Sequence, residues 1–279
     1  MRAIPRSCAI STYSGALFAF ARKHYFSAIT IRRPYGHSGF GSMRASSTPT
    51  ANRLLGALPA ADYRRLSAEL EAVELSADAT LFEPAVPAQF AYFPTDSIVT
   101  LSYALEKGVM ARAWSVGREG MVGVSLFLES PDRDNRADVE SAGLAFRLSA
   151  AALRAEFRRA GALQRLLLRY VYALVTQSSQ LCICHQHHTV EQRFCNFLSC
   201  AFAEANGRVA FVTQRRIGER LGVRRESITE IALRMQGAQI IRYCRGRITL
   251  LDRKGLEERA CACGRIIRRA LSAVWEQGA

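Results

Sequence analysis

The stretch from Thr213 to Gln236, TQRRIGERLGVRRESITEIALRMQ, restricts the fold more than any other part of the chain. Ile217 and Leu221 lie four apart on one short helix, Gly222 can take the left-handed conformation that ends it, and Val223 packs the corner. Ile228, Ile231 and Met235 then recur at three- and four-residue spacing and give a second helix, 224–236, one apolar face. Its other face is polar, with Arg224, Arg225, Glu226, Thr229, Glu230 and Arg234. A helix-turn-helix offers side chains to a DNA major groove in this way. In the next segment, IIRYCRGRITLL (Ile240 to Leu251), β-formers flank Arg245-Gly246, as in a hairpin. A hairpin directly after such a helix is a wing; the competing reading is an ordinary α+β core whose arginines face solvent.

Charge distribution supports the first reading. The net charge is +14, and it sits at the ends of the 279 residues. Residues 1–61 hold eight basic and no acidic residues, 62–204 hold 14 basic against 17 acidic, and 205–279 hold 16 against 7. A basic C-terminal module favours phosphate contacts and salt-dependent binding to double-stranded DNA. Eight cysteines in a chain this long, clustered on predicted helices, fit reduced thiols and a cytoplasmic location better than a secreted disulfide scaffold. The sequence contains no run of 18 uncharged apolar residues, so no membrane span is expected.

Residues 1–50 lack Asp and Glu and show no sustained period. They read either as a transit-type leader or as an extension upstream of a start at Met43, and are set apart as disordered or misassigned. From Arg53 to Leu75, Leu54, Leu55, Leu58, Tyr63, Leu66 and Leu70 predict a short helical lead-in. The period then changes to two. Short β runs at 80–82, 90–93, 97–103, 109–116 and 143–148, separated by Pro and Gly, predict an antiparallel β-roll over 51–160. After Leu153 a helical period returns for about forty residues. Within it Leu163, Leu167, Tyr170, Leu174, Gln177, Leu181, Cys184 and His188 form an a/d seam at alternating four- and three-residue spacing. A seam on one long helix, 161–188, needs a partner, either a second copy of the chain or an intramolecular neighbour. A winged helix-turn-helix over 189–264 and a tail helix over 265–279 complete an α+β chain.

Roll, seam helix, helix-turn-helix and wing, in that order, resemble the Crp/Fnr family of bacterial transcription regulators across about Arg53 to Gly264. The resemblance is carried by TQRRIGERLGVRRESIT (213–229), YFPTDSIV (92–99), GREGMVGV (117–124), HHTVEQR (187–193) and IIRYCRGRITLLDRKGLE (240–257). It implies a homodimer joined through residues 163–188, an inverted-repeat operator and a contact with RNA polymerase. Arg225-Glu226 match the family's Arg-Glu pair that reads base edges, with Arg forking onto guanine O6 and N7 and Glu accepting from cytosine N4. Thr229 and Glu230 complete the base-reading set. Glu230 replaces a second reading arginine, so the half-site should differ. Arg215, Arg216, Arg224, Arg245 and Arg247 are assigned to phosphates.

The expected effector pocket comprises Gly120, Met121, Arg133, Arg136, Ser178 and Ser179. It departs from the family's cyclic-nucleotide pattern, because Gly120 is followed by Met121 where those relatives carry Glu, and no Arg-Ser or Arg-Thr pair precedes Val139. Cyclic AMP is therefore not the expected effector, and no cofactor is implied. Cys182, Cys184, His185 and His188 in CICHQHH have helical metal-ligand spacing, and Cys261-x-Cys263 can complete a shell, but Cys184 and His188 also fill seam positions. This leaves an alternative function, a metal- or redox-responsive sensor whose output is protein association. GxSxG, HExxH and phosphate-loop motifs are missing from the sequence, so an enzyme is not expected.

Overall fold

Alternation of side chains builds the first half of the molecule. A computed structural model describes residues 29–31, 48–106, 109–130, 135–204 and 208–276. A strand, β1 (Ile29–Ile31), precedes a 3-10 turn at Pro49–Ala51 and two short helices, α1 (Arg53–Gly56) and α2 (Ala60–Ser67). Strands β2 (Glu71–Leu75), β3 (Thr80–Phe82), β4 (Phe90–Pro94), β5 (Ile98–Ala104) and β6 (Met110–Val116) follow. A one-turn helix, α3 (Ser125–Leu128), separates them from β7 (Asn135–Ser141) and β8 (Gly143–Ser149). They make two antiparallel four-stranded sheets, ordered β1-β2-β8-β4 and β3-β7-β5-β6. Val73, Leu75 and Tyr92 from the first sheet meet Phe82, Val99 and Val139 from the second in a shared core.

Two expectations change here. The helical lead-in ends at Ser67, and Glu71–Leu75 is a strand that buries Val73 and Leu75 and exposes Glu71 and Glu74. Period two over five residues is too short to stand out beside the leucines that precede it. β1 pairs antiparallel with β2, Ile29 opposite Leu75, although the leader sequence shows no period. The rest of residues 1–47 lies outside the described residues.

Asn52 pins α1 to the roll. Its side-chain oxygen accepts the Leu54 and Leu55 N–H groups, while its Nδ2 donates to the carbonyls of Pro94 at 2.9 Å and Gly120 at 2.8 Å. Fully buried, it is satisfied on both ends.

The helical half begins with α4 (Ala150–Arg158), capped by Ser149, and α5 (Ala162–His187). The continuous helical period breaks between them, where Ala160 takes φ 57°. α6 (Val190–Glu204), β9 (Val209–Phe211), α7 (Gln214–Leu221), α8 (Arg225–Gly237), β10 (Ile241–Cys244), β11 (Arg247–Leu250), α9 (Arg253–Arg259) and α10 (Cys263–Glu276) complete the chain.

The first part of the α5 seam is used within one chain, while Leu174, Gln177 and Leu181 further along it are half-buried. Leu163, Leu167 and Tyr170 are at most 2% exposed and join the roll's second core with Phe93, Met121 and Leu153. α10 runs along α5 and sends Val274 into that core, with Trp275 against it and Arg53 stacked 5.1 Å from the Trp275 ring. The opposite face of α5 carries Leu168, Tyr172, Val175 and Ile183, which are 49%, 74%, 56% and 47% exposed. Leu168, Tyr172 and Val175 repeat the four-three spacing two positions ahead of Tyr170, Leu174 and Gln177.

Candidate nucleic-acid interface and thiol cluster

A single apolar cluster sets the helix-turn-helix. Phe194, Leu198 and Phe202 of α6, Ile217 and Leu221 of α7, Ile228, Ile231 and Met235 of α8, and Ile241 and Ile248 of the wing pack together. Thr189 and Gln192 begin α6 with a reciprocal capping box: Gln192 N donates to Thr189 Oγ1 at 3.2 Å and Thr189 N to Gln192 Oε1 at 2.9 Å. Thr213 caps α7, and Gly222, at φ 64°, closes it in the left-handed region a β-carbon disfavours. Arg193 donates to the Leu221 carbonyl, and Arg234 pairs with Glu191 at 2.9 Å, so α6 braces both ends of the motif.

The wing forms as expected. Cys244 faces Arg247 across a two-residue turn in which Arg245 and Gly246 have φ 46° and 79°, the positive pair a type I′ hairpin needs. β9 adds a third strand beside β11. Tyr243 anchors the wing through its hydroxyl to the Val212 carbonyl at 2.8 Å and its N–H to Gln236 Oε1 at 2.8 Å.

Between α7, α8 and the wing lies an open cleft of about 500 Å³ lined by Arg215, Arg225, Thr229, Leu233, Tyr243 and Arg245, among others. Arg225, Glu226 and Glu230 are exposed on the first turns of α8, and Arg224 stands at its N-cap without a side-chain cap on the helix. The helix therefore keeps outward N–H groups and its positive end for an anion. Arg215 and Arg245 are exposed around the same cleft, and Arg247 is exposed on the wing strand β11.

Two candidates sit differently. Thr229 is half-buried, and its hydroxyl has acceptors at Gln214 Oε1 (2.9 Å) and the Arg225 carbonyl (3.1 Å), so its single proton is already used within the motif. Arg216 turns away from the cleft, its guanidinium 3.5 Å from the Glu140 carbonyl on β7. The Glu140 carboxylate accepts from Thr100 at 2.7 Å and Ser115 at 3.0 Å and lies 3.6 Å from Arg112. Burial disfavours its charge, but the Thr100 hydrogen bond and the Arg220 and Arg112 guanidinium groups outweigh that and hold it below its usual value. Sequence reasoning missed this inter-domain contact, because no local pattern marks a residue that matters through an element 76 positions away.

The expected effector residues have different surroundings. A side chain at Gly120 would collide with the Tyr170 hydroxyl, and Met121 is buried with its N–H donating to that hydroxyl at 3.2 Å. Arg136 is bound to Asp138 at 2.9 Å and to Thr80. Ser178 and Ser179 are exposed on α5. Arg133 lies outside the described residues.

The thiols do converge. Cys184 near the end of α5, His188 just after it, Cys261 in the α9–α10 corner and Cys263 at the start of α10 place their donor atoms within 4.8 Å of one another. Cys184 Sγ is 3.6 Å from Cys261 Sγ, and Cys263 Sγ is 3.4 Å from His188 Nδ1. The three cysteines are buried, and His188 is half-buried. Burial, then the neighbouring Cys261, pushes the Cys184 thiol up from its ordinary value. Cys182 and His185 are exposed and outside the cluster.

The described chain thus consists of a two-sheet roll, a long helix and a winged helix-turn-helix, in that order. Residues 192–259 match the Crp-like helix-turn-helix domain. The wider fold is similar to that of a Crp/Fnr transcriptional regulator from Eubacterium rectale, with 17% identity over 74% of this chain and 96% of that one, TM-score 0.56. FixK2 from Bradyrhizobium japonicum aligns at 16% identity over 69% and 98%, TM-score 0.56. The c-di-GMP-responsive regulator CLP from Xanthomonas campestris aligns at 17% over 70% and 100%, TM-score 0.55. No curated protein matches the sequence. The chain thus carries a Crp-like helix-turn-helix domain on the Crp/Fnr fold.

Proposed function

We propose that this protein is a sequence-specific DNA-binding transcription regulator that acts as a dimer. The observation that supports this reading best is the exposed polar face of α8. Its Arg225, Glu226 and Glu230 stand clear of the apolar cluster, at the N-terminal end of the second helix of a helix-turn-helix, where such helices meet base edges. Arg225 forks onto a guanine and Glu226 accepts from a cytosine amine. Arg215, Arg224, Arg245 and Arg247 hold the phosphates, and Arg216 helps join the two halves. Thr229 positions Arg225 and Gln214 more than it reads a base.

The division into roll (51–160), long helix (161–188), DNA-binding domain (189–264) and tail helix (265–279) fits this role. Its dimer contact is the exposed stripe of Leu168, Tyr172, Val175 and Ile183, because the other side of α5 is filled by its own roll and α10. Two copies related by a two-fold axis would set recognition helices on half-sites about 34 Å apart. Selection from a random DNA pool with purified protein tests this, and the expected product is an inverted repeat. A pool with no enriched repeat, with and without cyclic nucleotides, removes the reading.

A further inference from the structure

We infer that Cys184, His188, Cys261 and Cys263 form a closed Cys₃His site for a single Zn²⁺ that clamps the end of the long helix to the final helix. In a tetrahedral zinc site with Zn–S near 2.3 Å and Zn–N near 2.1 Å, donors stand about 3.8 Å apart for two sulfurs and about 3.6 Å for sulfur and nitrogen. Two of the pairs here, Cys184–Cys261 at 3.6 Å and Cys263–His188 at 3.4 Å, already have those spacings. The limit of 4.8 Å on every other pair leaves adjustments of about 1 Å. All four protein positions are filled, so the site is of the structural kind, without an open position for water or substrate.

The donor set and its surroundings select the ion. Three thiolates and an imidazole are soft to borderline ligands and suit zinc over calcium or magnesium, which take oxygen. Three buried thiols packed together cannot all ionise unaided, and a dication removes that obstacle when it displaces their protons. Gln180 Nε2 donates to Cys263 Sγ at 3.2 Å, an outer hydrogen bond of the sort that orients and stabilises a ligating thiolate. A disulfide is a poorer account, since 3.6 Å separates Cys184 and Cys261 where a bond needs about 2.05 Å. It would also leave Cys263 and His188 facing each other unused.

The location gives the ion a role. It would join α5, the corner at His188 where the chain turns into α6, and the α9–α10 corner. Those segments decide where the DNA-binding half sits on the long helix.

The test uses the full chain, purified under reducing conditions without chelator, and measures metal by mass spectrometry. About one zinc per chain is expected, and Co²⁺ exchanged for it should give thiolate charge-transfer and strong tetrahedral d–d bands. Cys263→Ala and His188→Asn should weaken retention by at least about tenfold, while Cys182→Ser, outside the cluster, retains it. Should the cluster variants fold poorly, the wild-type protein suffices: mercurial titration should release zinc in step with modification of three protected thiols. Metal-free protein with freely reactive thiols, zinc unaffected by Cys263→Ala, a Cys184–Cys261 disulfide, or iron with acid-labile sulfide would each overturn the proposal. None of these readouts depends on DNA binding.

Discussion

Replacing Arg225 with Ala separates base reading from phosphate binding, and the structure sets the size of the effect. Arg225 is exposed and forms no ion pair among the described residues, so its loss leaves the free protein almost unchanged. The whole cost therefore falls on the complex. A bidentate arginine–guanine contact discriminates by about 1–3 kcal/mol, and a dimer on an inverted repeat makes it twice, for about 2–6 kcal/mol in total. Arg245→Ala at the wing tip removes a phosphate contact instead. It should lower affinity for every sequence and reduce the slope of log K against log salt by about 0.9 per subunit. Fluorescence anisotropy on the selected repeat, on one with the guanine position exchanged in both halves, and across a salt series measures both quantities. Arg225→Ala should bind the two repeats nearly alike and keep the wild-type slope. A uniform loss with a shallower slope would make Arg225 a phosphate ligand and refute the reading.

Tyr172→Glu places a charge in the exposed stripe of α5 and should weaken dimerisation at least about tenfold by light scattering, with the helical content unchanged; an intact dimer would move the interface elsewhere. Asn52→Ala should cost about 2–4 kcal/mol in urea unfolding, since it strips a cap and two buried carbonyl partners. Asn52→Asp is the sharper variant, because aspartate caps a helix equally well but sets a carboxylate oxygen against the Pro94 and Gly120 carbonyls; wild-type stability in it would show that only the cap matters. The Glu140 carboxyl is held below 4.5 in the folded protein, so its contribution is complete above that value and disappears as pH falls through the folded value. Urea midpoints between about pH 6 and pH 3 should therefore decline less steeply in Glu140→Gln than in the wild type, and parallel declines would deny the carboxylate this role.

Legibility in the sequence follows the range of the forces involved. Helix-turn-helix and wing were readable because their determinants are local: Gly222 ends a helix, Arg245-Gly246 sets a turn, and Ile228, Ile231 and Met235 repeat at three- and four-residue spacing just after Gly222. The roll was readable as a class, but β2 and β1 were not, since a strand of three or five residues gains its identity from the strand beside it. Periodicity found that α5 has an apolar seam and could not say what covers it. Leu163, Leu167 and Tyr170 would look the same facing a second copy, yet they face the roll and leave Tyr172 outside. The thiol cluster shows the same limit: Cys184 and Cys261 are 77 positions apart, and only the packing of α10 on α5 makes them neighbours.

These packing facts also rank the connections between the roll and α8. One runs through α5, whose Leu163, Leu167 and Tyr170 are buried in the roll and whose last turn leads at His188 into the capping box of α6; α6 in turn braces α7 and α8 through Arg193 and Glu191. A second is α10, which starts beside Cys184 and ends with Val274 in the roll's core. Each is anchored in the roll's core by buried side chains, Leu163, Leu167 and Tyr170 on α5 and Val274 on α10, and withdrawing those exposes apolar surface at about 25 cal/mol per Å². The third joins α7 to β7 at a part-exposed surface, where Arg216 reaches the Glu140 carbonyl in one long hydrogen bond worth about 1 kcal/mol and Arg220 attracts the Glu140 carboxylate. A change in the roll that shifts β7 alone will therefore break the Arg216 contact and leave α7 in place. A shift of α5 acts on α8 through α6, which Arg193 and Glu191 tie to α7 and α8. Of the three, the α5 and α10 connections are the ones anchored in the roll's apolar core, and both pass through the four residues around Cys184.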